Sequence, residues 1–141
     1  MLARLKNLLG LGPAADNAGA QGEAAAADFL RRECRFVIVA RNWRNPRDRR
    51  EEIDLVARDG EVLVFIEVKT RAAAALVSGF HAVNARKKSV LRRAATAYLR
   101  TLAVPPVTFR LDVVEVALPA GGAPEVRHYE NVALFPKHFQ P

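Results

Sequence analysis

Two carboxylates and a lysine interrupt apolar runs that would otherwise read as plain strands. In residues 51–71, EEIDLVARDGEVLVFIEVKTR, Asp54 stands between Ile53 and Leu55-Val56-Ala57, and Glu67 and Lys69 follow Val62-Leu63-Val64-Phe65-Ile66. Asp59-Gly60 between the two runs predicts a two-residue turn and an antiparallel hairpin. With Asp59 and Gly60 as the central turn residues, Arg58 opposes Glu61, Val56 opposes Leu63, Asp54 opposes Phe65 and Glu52 opposes Glu67. Alternation then places Glu52, Asp54, Leu63, Phe65, Glu67 and Lys69 on one side of the ribbon, and Val62, Val64, Ile66 and Val68 on the other. Asp54 and Glu67 become diagonal neighbours with backbones about 7–8 Å apart, near enough for both side chains to close on one cation, and Glu52 crowds the same spot.

Like charges on facing strands are destabilising unless something offsets them, and a divalent cation with oxygen ligands does so. An ammonium one pleat beyond the carboxylates suits phosphodiester hydrolysis. A hard metal polarises a phosphoryl oxygen and acidifies water, and the lysine stabilises the developing anion. The alternative is a solvent-facing ion-pair ladder on an edge hairpin. The apolar residues around Glu67 argue for burial instead.

These strands need a scaffold, and the chain is long enough to build one. It has 141 residues, half of them apolar and about a quarter charged, the balance of a globular chain. Residues 1–15 read as a loose N-terminal segment ahead of a single domain over 16–141. Cys34 is the single cysteine, which excludes an internal disulfide and suits a reducing compartment. No apolar run approaches a membrane span, and the leucine cluster near the start is cut by Asn7 and Gly10-Leu11-Gly12-Pro13. A cytoplasmic location without membrane association is expected. Sequence leaves the oligomeric state open, a homodimer included.

The net charge of +7 favours a polyanionic partner, and its distribution sharpens the point. Residues 31–50 hold eight arginines against Glu33 and Asp48. Within them Phe36–Ala40 reads as a short strand, and Arg41-Asn42-Trp43-Arg44 leads into a loop over Asn45–Arg50. Arginines bracketing Trp43 match the mix of phosphate contacts and stacking surface used on nucleic acids. Trp43 as a core or rim residue under an arginine is the equal alternative.

An alanine-rich first helix is expected over Asp16–Glu33, with Ala24, Ala27, Phe29 and Leu30 as its apolar stripe and Asp16 or Asn17 as its cap. Glu23 near its start serves the helix dipole or points at a water in the site. Thr70–Gly79 reads as a loop, and His81 has no assigned role. A second helix over Ala82–Leu102 puts Val83, Val90, Leu91, Ala94 and Tyr98 on one face. Lys87 falls in the middle of that face, either snorkelling past the helix end or meeting the carboxylates at the sheet. Arg86, Lys88, Arg92, Arg93 and Arg100 form a one-sided basic coat, which favours a polyanion. A strand over Val107–Leu118, with Arg110, Asp112 and Val114 on one face and Leu111, Val113 and Glu115 on the other, and a last strand over Glu125–Val132 complete the order α-β-β-β-α-β-β. His128 and His138 are isolated. No Cys-His or Ser-His-Asp triad and no zinc spacing can be assembled from the sequence.

Taken together, Gly22-Glu23, Arg41-Asn42-Trp43-Arg44, Glu52-Ile53-Asp54-Leu55, Phe65-Ile66-Glu67-Val68-Lys69-Thr70-Arg71, Lys87 and Phe109-Arg110-Leu111-Asp112-Val113-Val114 resemble the YraN family of bacterial proteins. That family is similar to the PD-(D/E)XK nucleases, near the archaeal Holliday-junction resolvases. The resemblance runs from Gly19 to about Phe135. It implies an α/β fold with a restriction-endonuclease-like mixed sheet flanked by helices. It implies Asp54, Glu67 and the Val68 carbonyl as ligands of Mg²⁺ or Mn²⁺, Lys69 as the catalytic lysine and Glu23 as an accessory acid. Where the family has glycine ahead of Glu-Ile-Asp, this chain has Glu51 after Arg49-Arg50.

The sequence thus supports a metal-dependent endonuclease acting on DNA, on branched or damaged structures among others. Arg41, Trp43, Arg44, Arg71, Lys87, Arg92 and Arg93 are the candidates for nucleic-acid contact. A non-catalytic nucleic-acid-binding module on the same fold is the alternative, and an adaptor whose basic helix docks on an acidic partner is a remoter one.

Overall fold

The computed structural model describes residues 14–72 and 83–141. The elements, in chain order, are α1 (Ala14–Arg32), β1 (Val37–Asn45), β2 (Asp48–Asp59), β3 (Val62–Ala72), α2 (Ala85–Thr101), β4 (Thr108–Leu118) and β5 (Glu125–Val132). The strands form one mixed sheet in the order β1-β2-β3-β4-β5. All neighbours are antiparallel except β3 and β4, which run parallel. A parallel pair needs a crossover, and α2 lies in the connection that makes it. The architecture is the expected α/β fold, with the expected element order.

One helix covers each face of the sheet. On one side Ala26, Ala27 and Leu30 of α1 pack on Leu55, Ala57, Val64, Ile66, Val114 and Val116. On the other, Leu91, Ala94, Ala95, Tyr98 and Leu99 of α2 pack on Val56, Leu63, Phe65, Leu111 and Val113. Double coverage explains why Leu111–Ala117 is buried throughout, the charged Asp112 and Glu115 included. The faces of β4 are as expected, with Leu111 and Val113 toward α2 and Val114 and Val116 toward α1.

Several boundaries differ from the sequence reading. In α1 the buried stripe runs through Ala26, Ala27 and Leu30 and leaves Ala24 exposed, and both Asp16 and Asn17 lie inside the helix rather than at its cap. The basic stretch after Ala40 is strand, not loop. β1 continues to Asn45, β2 resumes at Asp48, and only Pro46 and Arg47 turn the chain, with Asn45 Oδ1 accepting the Arg47 N–H at 3.0 Å. Thr70, Arg71 and Ala72 end β3, while the rest of the expected loop, together with His81 and the segment before Ala14, falls outside the described residues. α2 starts later than expected because Asn84 caps it, its side chain accepting the Lys87 N–H.

The central hairpin is displaced by one residue. Asp59 pairs with Val62, so Gly60 and Glu61 are the loop. Gly60 has φ +58°; glycine in the first loop position is what a type II′ hairpin requires. The register becomes Leu55 with Ile66, Val56 with Phe65 and Ala57 with Val64. Continued one step, it sets Asp54 across from Glu67, closer than the diagonal the sequence predicted.

Candidate metal and phosphodiester site

The backbone ladder between β2 and β3 ends at Leu55–Ile66. Ile53 packs toward α2 while Leu55 packs toward α1, so strict alternation along β2 breaks at Asp54. Asp54 and Glu52 therefore do not share one regular face with Leu63 and Phe65. At the break the Asp54 carboxylate takes over from the ladder: its Oδ2 accepts the Val68 N–H at 2.8 Å. The structure engages Val68 with Asp54 through that N–H, whereas the implied ligand group was its carbonyl.

Glu67, opposite, is almost fully buried. Its Oε1 is shared by Lys69 Nζ at 3.1 Å and Lys87 Nζ at 3.5 Å. Its Oε2 is buried with no hydrogen-bond partner. Lys87 thus meets the carboxylates at the sheet, one of the two placements open from the sequence. Glu23 arrives from the other face. Together with Asp54, Glu67, Val68, Thr70 and Arg71 it lines a cleft of about 610 Å³.

What admits Glu23 is the residue before it. A Cβ on Gly22 would overlap Thr70 Oγ1 and crowd Thr70 Cβ and Cγ2, so glycine lets α1 lie against the end of β3. The cleft is accordingly assembled by a helix that approaches closely and two strands that part, while Lys87 from the first turn of α2 holds Glu67.

The electrostatics follow from that geometry. The Asp54 carboxyl is pushed up to about 7, first by burial and then by the charge of Glu67, with Glu23 adding and the Val68 N–H and Lys87 opposing. A half-buried carboxylate facing a second one resists ionisation until a cation or a proton joins it. The donor set is oxygen only, which fits a hard cation such as Mg²⁺ or Mn²⁺ and not zinc. Among the described residues no three or more His, Cys, Asp or Glu side chains gather in a metal-binding set. Asp54 and Glu67 are therefore the pair that would hold an ion, and Glu23 belongs to the wall.

The remaining candidates are elsewhere. Glu52 does not crowd the carboxylates, since it is paired with Arg44 at 3.2 Å. Trp43 packs edge-to-face on Tyr98, ring centroids 5.3 Å apart, and joins the core cluster under α2. Arg92 Nε donates to the Leu134 carbonyl at 3.0 Å. Arg93 binds Glu51 Oε1 at 3.1 Å and Ser89. Glu51 also accepts from Asn45 Nδ2 at 2.8 Å and so ties the β1–β2 turn to α2. Arg41 is exposed on the edge strand.

One grouping was not legible in the sequence. His128 lies between Cys34, with Sγ 3.7 Å from Nδ1, and Asp112, with Oδ2 2.8 Å from Nε2. Asp112 is fully buried and also takes Arg110 and the Asn131 N–H. Burial would raise its carboxyl, but the bonds from His128, Arg110 and Asn131 outweigh that and hold it low. The Cys34 thiol is pushed up by burial and by Glu130 and Asp112, which keeps it protonated and a poor nucleophile. The group reads as a buried clasp of β4 to β5 and the α1 end. Its members lie 94 and 16 residues apart in the chain, and no local signal links them.

A mixed α/β sheet with a helix on each face, and paired carboxylates beside lysines where two of its strands part, defines the class of this molecule. The chain belongs to Uncharacterised protein family UPF0102, whose model matches residues 22–116, from the Gly22 contact to the buried end of β4. This is the family that the YraN resemblance denotes. Similar proteins include UPF0102 proteins of Beutenbergia cavernae, 43% identical over 84% of this chain and 98% of the relative, and of Streptomyces coelicolor, 44% identical over 82% and 87%. A third, from Symbiobacterium thermophilum, is 43% identical over 80% of this chain and 92% of the relative. Among the described residues no helix is long and apolar enough to cross a membrane.

Proposed function

We propose that this chain is a cytoplasmic, divalent-cation-dependent phosphodiesterase acting on DNA. The observation that carries the proposal is Glu67 Oε2, a buried carboxylate oxygen without a partner, opposite an Asp54 carboxyl that burial holds near neutrality. A hard cation between the two carboxyls would partner that oxygen and offset their mutual repulsion. Mg²⁺ or Mn²⁺ held by Asp54 and Glu67 would polarise a phosphoryl oxygen and lower the pKa of water. Lys69, held at Glu67 Oε1, would then meet the charge that grows on the phosphate. Glu23 on the far wall can orient a water or take its proton, and Arg71, also in the wall, can hold a phosphate oxygen.

A second reading is a binding module without turnover. It is favoured by the neutralisation of Glu67 by Lys69 and Lys87, which leaves the site balanced without any ion. Titration calorimetry with Mn²⁺, run beside a cleavage assay on duplex, single-stranded and four-way-junction DNA, separates the two. Binding that disappears in Asp54→Asn/Glu67→Gln, together with cleavage lost in the same variant, supports the phosphodiesterase. Divalent affinity unchanged by the double substitution refutes the site.

A further inference from the structure

Two basic segments far apart in the chain line a single groove. One wall is the β1–β2 turn, with Asn45, Pro46 and Arg47; the other is the outward side of α2, with Arg93, Thr96 and Arg100. The one acidic residue on it, Glu51, is buried and already held by Arg93 and Asn45. Arg47 and Arg100 are exposed, and neither has an ion-pair partner among the described residues. The groove therefore presents unmatched positive charge to solvent.

We infer that this groove grips the sugar-phosphate backbone of a double-stranded arm of the substrate, away from the bond that is cut. The inference deepens the phosphodiesterase reading and rests on it only for where the cut falls. Lys87, which contacts Glu67, and Arg100 are on the same helix, about 20 Å apart along its axis at 1.5 Å per residue. A duplex lying along α2 covers that distance in roughly six base pairs at 3.4 Å each.

The chemistry of the walls favours duplex over single strand. Single-strand grooves offer aromatic faces on which successive bases stack. Here the aromatic residue in the lining is Trp43, whose ring is committed edge-to-face to Tyr98. What remains is guanidinium, hydroxyl and amide, the groups that hold phosphates without reading sequence.

The test is fluorescence anisotropy in EDTA, with a labelled duplex of about 16 base pairs and its isolated strand, over a range of salt concentrations. Arg47→Gln/Arg100→Gln should lower the slope of log affinity against log salt for the duplex by about 1.8, two contacts at about 0.9 each. Arg47→Lys/Arg100→Lys should restore it, and thermal melts of both variants should match the parent. An unchanged duplex slope overturns the inference, as does a single strand that binds as tightly as the duplex with the same loss. Because EDTA removes divalent ions, the outcome is independent of cleavage. A protein that cuts DNA but shows no slope change keeps the metal site and loses the groove; one that never cuts but shows the change keeps the groove alone.

Discussion

Lys87 of α2 reaches Glu67 of β3 across 3.5 Å, on the oxygen that Lys69 also holds. The contact joins the start of the crossover helix to the middle of the site. Removing one partner of a buried charged pair leaves the other desolvated and uncompensated. Lys87→Met should lower the stability of the metal-free protein by about 1–2 kcal/mol, since Lys69 still covers Glu67. It should also tighten Mn²⁺ binding, because an ammonium that competes for the same oxygen is gone. Urea denaturation and calorimetry on one preparation read both effects; weaker ion binding in the variant would assign Lys87 an attractive role and contradict the pairing.

Asp54 gives stability a pH dependence of known sign. Its folded carboxyl titrates near 7 and the ordinary value is 3.8. Between those values the folded chain binds more protons than the unfolded one, so stability present at low pH is lost as pH rises through about 7 and then levels off. Asp54→Asn, which can still accept the Val68 N–H, should flatten that portion of the curve and stabilise the metal-free protein at pH 8. Mn²⁺ should reverse the parent's loss above pH 7 and leave the variant unmoved. The measurement is urea midpoint against pH, with and without the ion.

Most of what places these groups could be read from the chain, because period-two alternation and the Asp-Gly turn are local signals. Even so the turn is Gly60–Glu61, since a glycine with positive φ serves an adjacent pair as well as it serves Asp59–Gly60. The parting of β2 and β3 at Asp54 left no trace in composition. The loop expected over Asn45–Arg50 is a tight turn at Pro46-Arg47 that Asn45 closes. Contacts between residues remote in sequence were invisible for a simpler reason: Arg93 with Glu51, Cys34 with His128 and Gly22 with Thr70 depend on how helices settle on the sheet, and nothing local encodes that.

Gly19 and Gly22 share a helix and should respond oppositely to alanine. A Cβ at Gly19 meets nothing within 4 Å, so Gly19→Ala should gain about 0.5–1 kcal/mol from helix propensity. At Gly22 the added carbon overlaps Thr70, and forcing α1 off β3 should cost about 1–3 kcal/mol. Gly22→Ala should also widen the cleft and move Glu23 away from Asp54. Chemical denaturation of the two single variants decides it, and equal signs would show that α1 does not sit on Thr70.

Lys69→Ala separates chemistry from binding. Lys69 Nζ lies 3.1 Å from Glu67 Oε1 and is about a quarter exposed, so it holds the carboxylate while staying open to solvent. If the chain cleaves DNA, the ammonium meets charge that exists on the phosphate only as the bond breaks. Losing such a donor typically costs roughly 10²–10³-fold in rate. In the ground state it is one positive charge among many, so duplex affinity should hold within about twofold, or ~0.4 kcal/mol. Removing it also frees Glu67 Oε1 from a competitor, so Mn²⁺ should bind at least as tightly as in the parent. Cleavage of labelled duplex and junction DNA with Mn²⁺ is read beside anisotropy and calorimetry on the same protein. Equal cleavage by parent and variant would place any activity outside this cleft. No cleavage by either, with DNA bound by both, makes the binding module the better account of the fold.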